Sequence, residues 1–218
     1  MKKAIVLLSG GLDSTTVLYL ARARGFCVRA LIFDYGQRHH KEVRKARAVA
    51  RKAGCSFEVV KIRLPWGGSS LLDRTQSLPK KRRDMAHIPS TYVPGRNTIF
   101  LSFALSFAEA EGADRIFIGA NALDYSGYPD CRPAYFAQFR KMAALATKRG
   151  VEGRPVRIEA PLLKMTKARI VRLGMKLGVP HEMTWSCYAG TKKPCGVCDS
   201  CLLRAKGFRE AGVRDPLL

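Results

Sequence analysis

The feature that most limits what this chain can become is a junction near its start. There the apolar run 4–8 gives way to Ser9-Gly10-Gly11 and then to 13–24, in which Val17, Leu18 and Ala21 fall at helical spacing. A short apolar run without alternation reads as a strand buried on both faces. Paired glycines give the tight turn, and the amphipathic stretch that follows reads as a helix packed back on the strand. The motif repeats: 27–33 reads as a strand, 41–52 as a basic helix and 57–62 as a third strand. A βαβαβ order of this kind demands parallel strands joined by right-handed crossovers.

Residues 64–95 hold four of the eleven prolines, paired glycines and a basic run, and are expected to form a long loop or lid outside the core. Beyond them a helix is expected over 97–111, a strand over 115–119, a loop over 121–133, a helix over 134–149, a strand over 156–160 and a helix over 166–177, closed by Gly178 and Pro180. The expected architecture is α/β: a Rossmann-like parallel sheet with helices on both faces, spanning 1–180. A small cysteine-rich element at 181–218 is expected to pack on the same domain. A chain of 218 residues accommodates this without a separate glutaminase domain.

Lysine and arginine total 39 against 17 acidic residues, a formal charge of +22. Such an excess is an electrostatic footprint for polyanions, whether ATP or nucleic acid. It is equally the solvated surface of a basic protein, because only 38–52 and Lys80-Lys81-Arg82-Arg83 are concentrated patches, and a nucleic-acid partner is not expected. The apolar run after Met1-Lys2-Lys3 stops at Ser9, too soon for a secretion signal or a membrane span, so a cytoplasmic location with reduced thiols is expected.

The turn itself, Ser9-Gly10-Gly11-Leu12-Asp13-Ser14-Thr15, lies where a parallel strand's carboxyl end can aim backbone N–H groups and a helix N-terminus at one anion. Neither the Walker A nor the dinucleotide glycine spacing is present. The competing reading is a structural Gly-Gly turn with Asp13 or Ser14 capping the helix. Cys187, Cys195, Cys198 and Cys201, in the spacing Cys-x7-Cys-x2-Cys-x2-Cys, suit a tetrahedral metal site of the structural kind. Zinc is favoured, with an iron–sulfur cluster as the alternative.

The phosphate-turn segment Ser9-Gly10-Gly11-Leu12-Asp13-Ser14 resembles the signature of the PP-loop ATP pyrophosphatases. With Phe33-Asp34-Tyr35-Gly36-Gln37-Arg38-His39, Tyr92-Val93-Pro94-Gly95-Arg96-Asn97, the stretch from Asp124 to Pro133, Trp185-Ser186-Cys187-Tyr188 and the later cysteines, the chain resembles the 7-cyano-7-deazaguanine synthase family over nearly its whole length. No motif is disrupted.

The resemblance implies a ligase that uses ATP and Mg2+ to turn 7-carboxy-7-deazaguanine and ammonia into a nitrile during queuosine precursor synthesis, with Zn2+ bound and a homodimeric assembly. The alternative within the superfamily is an enzyme that adenylates a tRNA base directly. On this reading Leu8, Ser9, Gly10, Gly11, Leu12, Asp13, Ser14, Thr15, Tyr35 and Gln37 bind nucleotide, with Asp13 acting through magnesium or a hydrogen bond. Asp13, Ser14, Arg96 and Lys167 are the catalytic candidates, Lys167 as the pyrophosphate cation. Arg96, Asn97, Asp124, Tyr125, Ser126, Asp130 and Arg132 are the substrate-binding candidates. For Arg96 and Lys167 the competing role is an ordinary ion pair or helix cap, and for the 124–133 loop an Asx-turn with an anchoring salt bridge.

Overall fold

The computed structural model describes residues 2–80, 87–121 and 127–218. Five parallel strands, β1 (Lys3–Leu7), β2 (Cys27–Asp34), β3 (Ser56–Lys61), β4 (Arg115–Phe117) and β5 (Arg157–Glu159), form one sheet in the order β3-β2-β1-β4-β5. Register is continuous across it, with Ala4 opposite both Val28 and Arg115, Ala30 opposite Phe57, and Ile116 opposite Ile158.

Side chains of β1 alternate between two cores. Ile5 and Leu7 face helices α3 (Arg96–Ala110) and α4 (Pro133–Ala146), while Ala4 and Val6, with Leu8 just past the strand, face α1 (Leu12–Ala23) and α2 (Lys41–Lys52). Burial on both faces is why the strands read as unbroken apolar runs rather than alternating ones. After β3 the chain returns to the other side of β1, so the strand order reverses between β1 and β4. In open α/β sheets the crevice outside such a reversal is where ligands bind.

Residues 64–95 are a loop, with no helix or strand among the described residues beyond one isolated bridge between Lys80 and Cys198. They are not, however, outside the core. Leu64 and Val93 are buried with α3 and β2, and Ser70 N–H donates to the Ser90 carbonyl at 2.8 Å. Arg38 holds the loop by donating to the carbonyls of Ser70, Arg74 and Gln76.

The helix expected over 134–149 breaks at Thr147, whose backbone is extended (φ −126, ψ 149). Its hydroxyl accepts from Gly150 N–H and starts the separate short helix α5 (Lys148–Val151). Thr166 caps α6 (Lys167–Lys176) in the same way through Arg169 N–H. The C-terminal region adds a helix, α7 (Asp199–Ala211), packed along α6 with Phe208 in the α1–α2 core. Among the described residues no helix is long and apolar enough to cross a membrane.

Candidate active site

The phosphate turn sits at the strand-order reversal, and three glycines explain its shape. Gly10 has φ +77, and a Cβ there would lie 2.5 Å from Ala46 N and 2.8 Å from the Glu42 carbonyl, so α2 packs directly on the turn. A Cβ on Gly119, just past β4, would lie 2.9 Å from Ser14 N, so only glycine admits the first turn of α1 beside that strand. Gly11 stands at the N-cap of α1 and no side chain caps the helix. The competing structural reading, in which Asp13 or Ser14 serves as the cap, is therefore not what forms. The first-turn N–H groups lack intrahelical acceptors, which makes this end suited to an anion.

The two serines tie the turn to itself. Ser9 N–H donates to Ser14 Oγ at 3.2 Å, the two hydroxyls are 3.0 Å apart, and Gly11 N–H donates to Ser9 Oγ at 3.3 Å. Thr15 is fully buried beneath the turn. Neither Gly10 nor Thr15 lines the adjoining cavity, of about 280 Å³; both shape the turn from behind.

Leu8, Ser9, Gly11, Leu12, Asp13 and Ser14 form one side of that cavity, and Tyr35, Gln37, Arg96, Asn97 and Lys167 complete much of the rest. Lys167, the first residue of α6, reaches Asp13 Oδ2 at 2.7 Å, and Asn121 Nδ2 donates to the same oxygen at 2.5 Å. Asp13 Oδ1 is buried and accepts no hydrogen bond among the described residues. Room for the lysine stem comes from Gly207 of α7, where a Cβ would lie 2.5 Å from Lys167 Cγ.

Across the cavity Arg96 donates to the Tyr35 hydroxyl at 3.2 Å and sits over the Tyr35 ring. Burial raises the Tyr35 phenol above its usual range, so it stays protonated. Gln37 is engaged at both ends with its own turn, its Oε1 accepting from Tyr35 N–H and its Nε2 donating to the Phe33 carbonyl.

The remaining substrate-binding candidates divide. Asp130 is buried, and its carboxylate accepts Asn97 N–H at 2.9 Å in the first turn of α3. Asn97 Nδ2 in turn donates to the Asp130 carbonyl and Cys131 Sγ. This pairing locks the 3-10 turn Pro129–Cys131 to α3 and so sets where Arg96 points. Burial raises the Asp130 carboxyl, with the Asn97 N–H and the Arg96 charge pulling the other way. Arg132 is exposed at the start of α4 and does not line the cavity. Asp124, Tyr125 and Ser126 lie outside the described residues.

The four cysteines converge. Their sulfurs all lie within 4.8 Å of one another, and three of the four residues are buried. A tetrahedron with Zn–S bonds of ~2.3 Å has S–S edges of roughly 3.8 Å, so the cluster fits that ion with small adjustment. Hydrogen bonds from Cys198 and Cys201 hold the Cys187 thiol far below the usual range, while the bond to Cys187 and burial push Cys198 up to about 11 against the pull of Cys201.

The cysteine element forms one wall of the cavity. Trp185 N–H donates to the Gly10 carbonyl at 2.8 Å, and its indole N–H donates to the Cys187 carbonyl. His39 Nε2 lies 3.0 Å from that same carbonyl, and its ring packs where a Cβ on Gly190 would be. Lys41 lies 4.1 Å over the Trp185 ring and reaches the Thr191 and Lys192 carbonyls.

Sequence reasoning did not single out Glu42, Gly119, Asn121 or Gly207 as parts of this site, and it named Cys131 and Trp185 only within the motifs of the resemblance. The signal for Glu42 was present, because it is the acidic residue of an otherwise strongly basic helix.

Fold and site together define an α/β protein with an uncapped helix N-terminus and a glycine turn at the strand-order reversal, that turn braced by a four-cysteine element. The chain belongs to the family described as queuosine biosynthesis protein QueC, whose model matches residues 3–212. It is 56% identical over 223 aligned residues to the 7-cyano-7-deazaguanine synthase of Anaeromyxobacter sp. (strain Fw109-5), an alignment covering 100% of this chain and 96% of that one. It is 55% identical over 221 to the protein of the same name from Nostoc punctiforme, covering 99% of each. Among solved structures, an NMN synthetase from Francisella tularensis shares the fold, with a TM-score of 0.54 and 16% identity over 98% of this chain and 78% of that one.

Proposed function

We propose that this protein converts 7-carboxy-7-deazaguanine and ammonia to 7-cyano-7-deazaguanine at the expense of ATP. The observation that carries the reading is the uncapped N-terminus of α1 beside Asp13 and Lys167, in a chain more than half identical to synthases of that name over its full length. Making a nitrile from a carboxylate removes two oxygens, neither of which leaves as oxide near neutral pH. Transfer of AMP to the carboxylate turns the first into a leaving group and lets ammonia form the amide. A second activation, at the amide oxygen, permits dehydration.

In this scheme the N–H groups of Leu12 through Ser14 donate to phosphate oxygens, and Lys167 balances the charge that builds on departing pyrophosphate. Arg96, held by Tyr35, takes the substrate carboxylate, and Asp124, Tyr125 and Ser126 serve the heterocycle. Asp130 acts by fixing Arg96. Mg2+ would be held by Asp13 Oδ1, the buried oxygen with no hydrogen-bond partner among the described residues, and would neutralise phosphate charge there. Zn2+ would be held by Cys187, Cys195, Cys198 and Cys201, with no position open to substrate. A homodimer in the cytoplasm, without nucleic acid, completes the reading.

The test supplies purified, zinc-loaded protein with 7-carboxy-7-deazaguanine, ATP, magnesium and ammonium, without RNA. Mass spectrometry should find the nitrile and AMP in step. Consumption of ATP only when tRNA is added would transfer the assignment to direct base modification.

A further inference from the structure

An ammonia-dependent ligase of this composition faces an electrostatic difficulty. Ammonia at neutral pH arrives mostly as ammonium, and a chain with a formal charge of +22 repels cations. The cavity deepens the problem, because Arg38, Arg96, Lys167 and Arg204 all line it. Among the described residues only two carboxylates line it with them, Asp13 and Glu42. Asp13 is bound to Lys167 and Asn121. Glu42 has no hydrogen bond and no ion pair among the described residues, although it stands half-buried in the first turn of α2.

The placement of Glu42 is fixed by the fold. Its own carbonyl would lie 2.8 Å from a Cβ on Gly10, so the residue is clamped beside the phosphate turn. Arg96 from α3, Tyr35 from the turn after β2 and Cys187 from the cysteine element face it, and His39 lines the same cavity three residues earlier. A carboxylate with free acceptor oxygens, set between the phosphate turn and the arginine assigned to the acid substrate, is where a small cation can rest beside an activated carbonyl.

We propose that Glu42 is the ammonium-binding residue of this site and takes the proton that converts ammonium to the attacking ammonia. The proposal rests on the ligase reading given above. In the step, ammonium gives one proton to the Glu42 carboxylate. The nitrogen lone pair then forms the C–N bond while the C–O bond to AMP breaks, its electron pair leaving on the phosphate oxygen. The second proton shed as the amide forms passes to water, as does the one on Glu42 before the next turnover. Burial raises the Glu42 carboxyl to about 7, against the pull of Arg96, which places its proton affinity near the working pH.

The test separates three reactions of Glu42→Gln: ATP–pyrophosphate exchange with the acid substrate and no nitrogen nucleophile, amide formation with ammonium, and hydroxamate formation with hydroxylamine. Hydroxylamine is neutral at pH 7 and needs neither a counter-charge nor a base. The expected result is exchange and hydroxamate formation near the parent rates, with kcat/KM for total ammonium lowered by about 10²-fold or more at pH 7 and still climbing with the free-ammonia fraction at higher pH, where the parent levels off. Glu42→Asp, which keeps the charge, should recover part of the ammonium rate, and it serves as the folding control should Glu42→Gln be unstable. Ammonium kinetics within threefold of the parent, or equal loss with both nucleophiles, would overturn the proposal. Failure of the parent protein itself to exchange pyrophosphate would instead strike the ligase reading.

Discussion

Replacing Gly10 with alanine tests how the phosphate turn is held. Two separate penalties apply. At φ +77 an alanine sits in the left-handed region, at a cost of about 1–2 kcal/mol. Its Cβ would also lie 2.5 Å from Ala46 N and 2.8 Å from the Glu42 carbonyl, both backbone atoms of α2 that cannot rotate aside as a side chain can. Overpacking of this kind costs a further 1–3 kcal/mol or so. Gly25→Ala isolates the first penalty, since Gly25 has φ +80 and open space around its Cβ position.

Urea unfolding followed by circular dichroism should therefore show Gly25→Ala less stable by about 1–2 kcal/mol and Gly10→Ala by roughly 2–5. Only Gly10→Ala should also weaken ATP binding by calorimetry, because relieving the clash moves α2 or the turn. Equal losses for the two variants, or unchanged ATP affinity in Gly10→Ala, would refute the claim that α2 sets the turn's shape.

Lys167→Met should lower ATP–pyrophosphate exchange by about 10²-fold or more while leaving the circular dichroism spectrum intact, and exchange within threefold would remove Lys167 from the phosphate site. Cys198→Ser should lower bound zinc, measured by plasma emission. It should also weaken ATP binding through the Trp185 N–H to Gly10 bond, and full ATP affinity in a metal-free protein would show the two sites to be independent. Arg204 is buried and pairs with Asp215 at 2.7 Å while also donating to Thr184 Oγ1. Arg204→Met strands that carboxylate and should destabilise the protein by about 3–5 kcal/mol in urea; a loss under 1 would mean that water reaches the pair.

The strands and the first three helices were legible because their residues obey simple periods and the glycine turns between them have no other use. Besides the burial of the 64–95 loop, two parts of the fold were not. Thr147 interrupts a stretch whose apolar spacing continues across it, so the break depends on a hydroxyl choosing to cap Gly150 rather than on any change of pattern. Helix α7 buries Cys201, Arg204, Gly207 and Phe208, a stripe at helical spacing made of a cysteine, a charge, a glycine and a single aromatic, which hydropathy does not recognise as a core face.

The site divides in the same way. Residues in the phosphate turn announce themselves locally, whereas Gly207, Gly119 and Glu42 matter only because distant elements meet there. Asp130 shows the converse case: its residue type suggested ligand contact, and the geometry engages it in holding α3.

The central claim is that the turn after β1 positions ATP so that AMP is passed to a substrate carboxylate. Carboxylate oxygens labelled with 18O test it directly: in a single turnover with ammonium, mass spectrometry should find one label in the phosphate of AMP. Unlabelled AMP, or label released into inorganic phosphate in its place, would contradict the account.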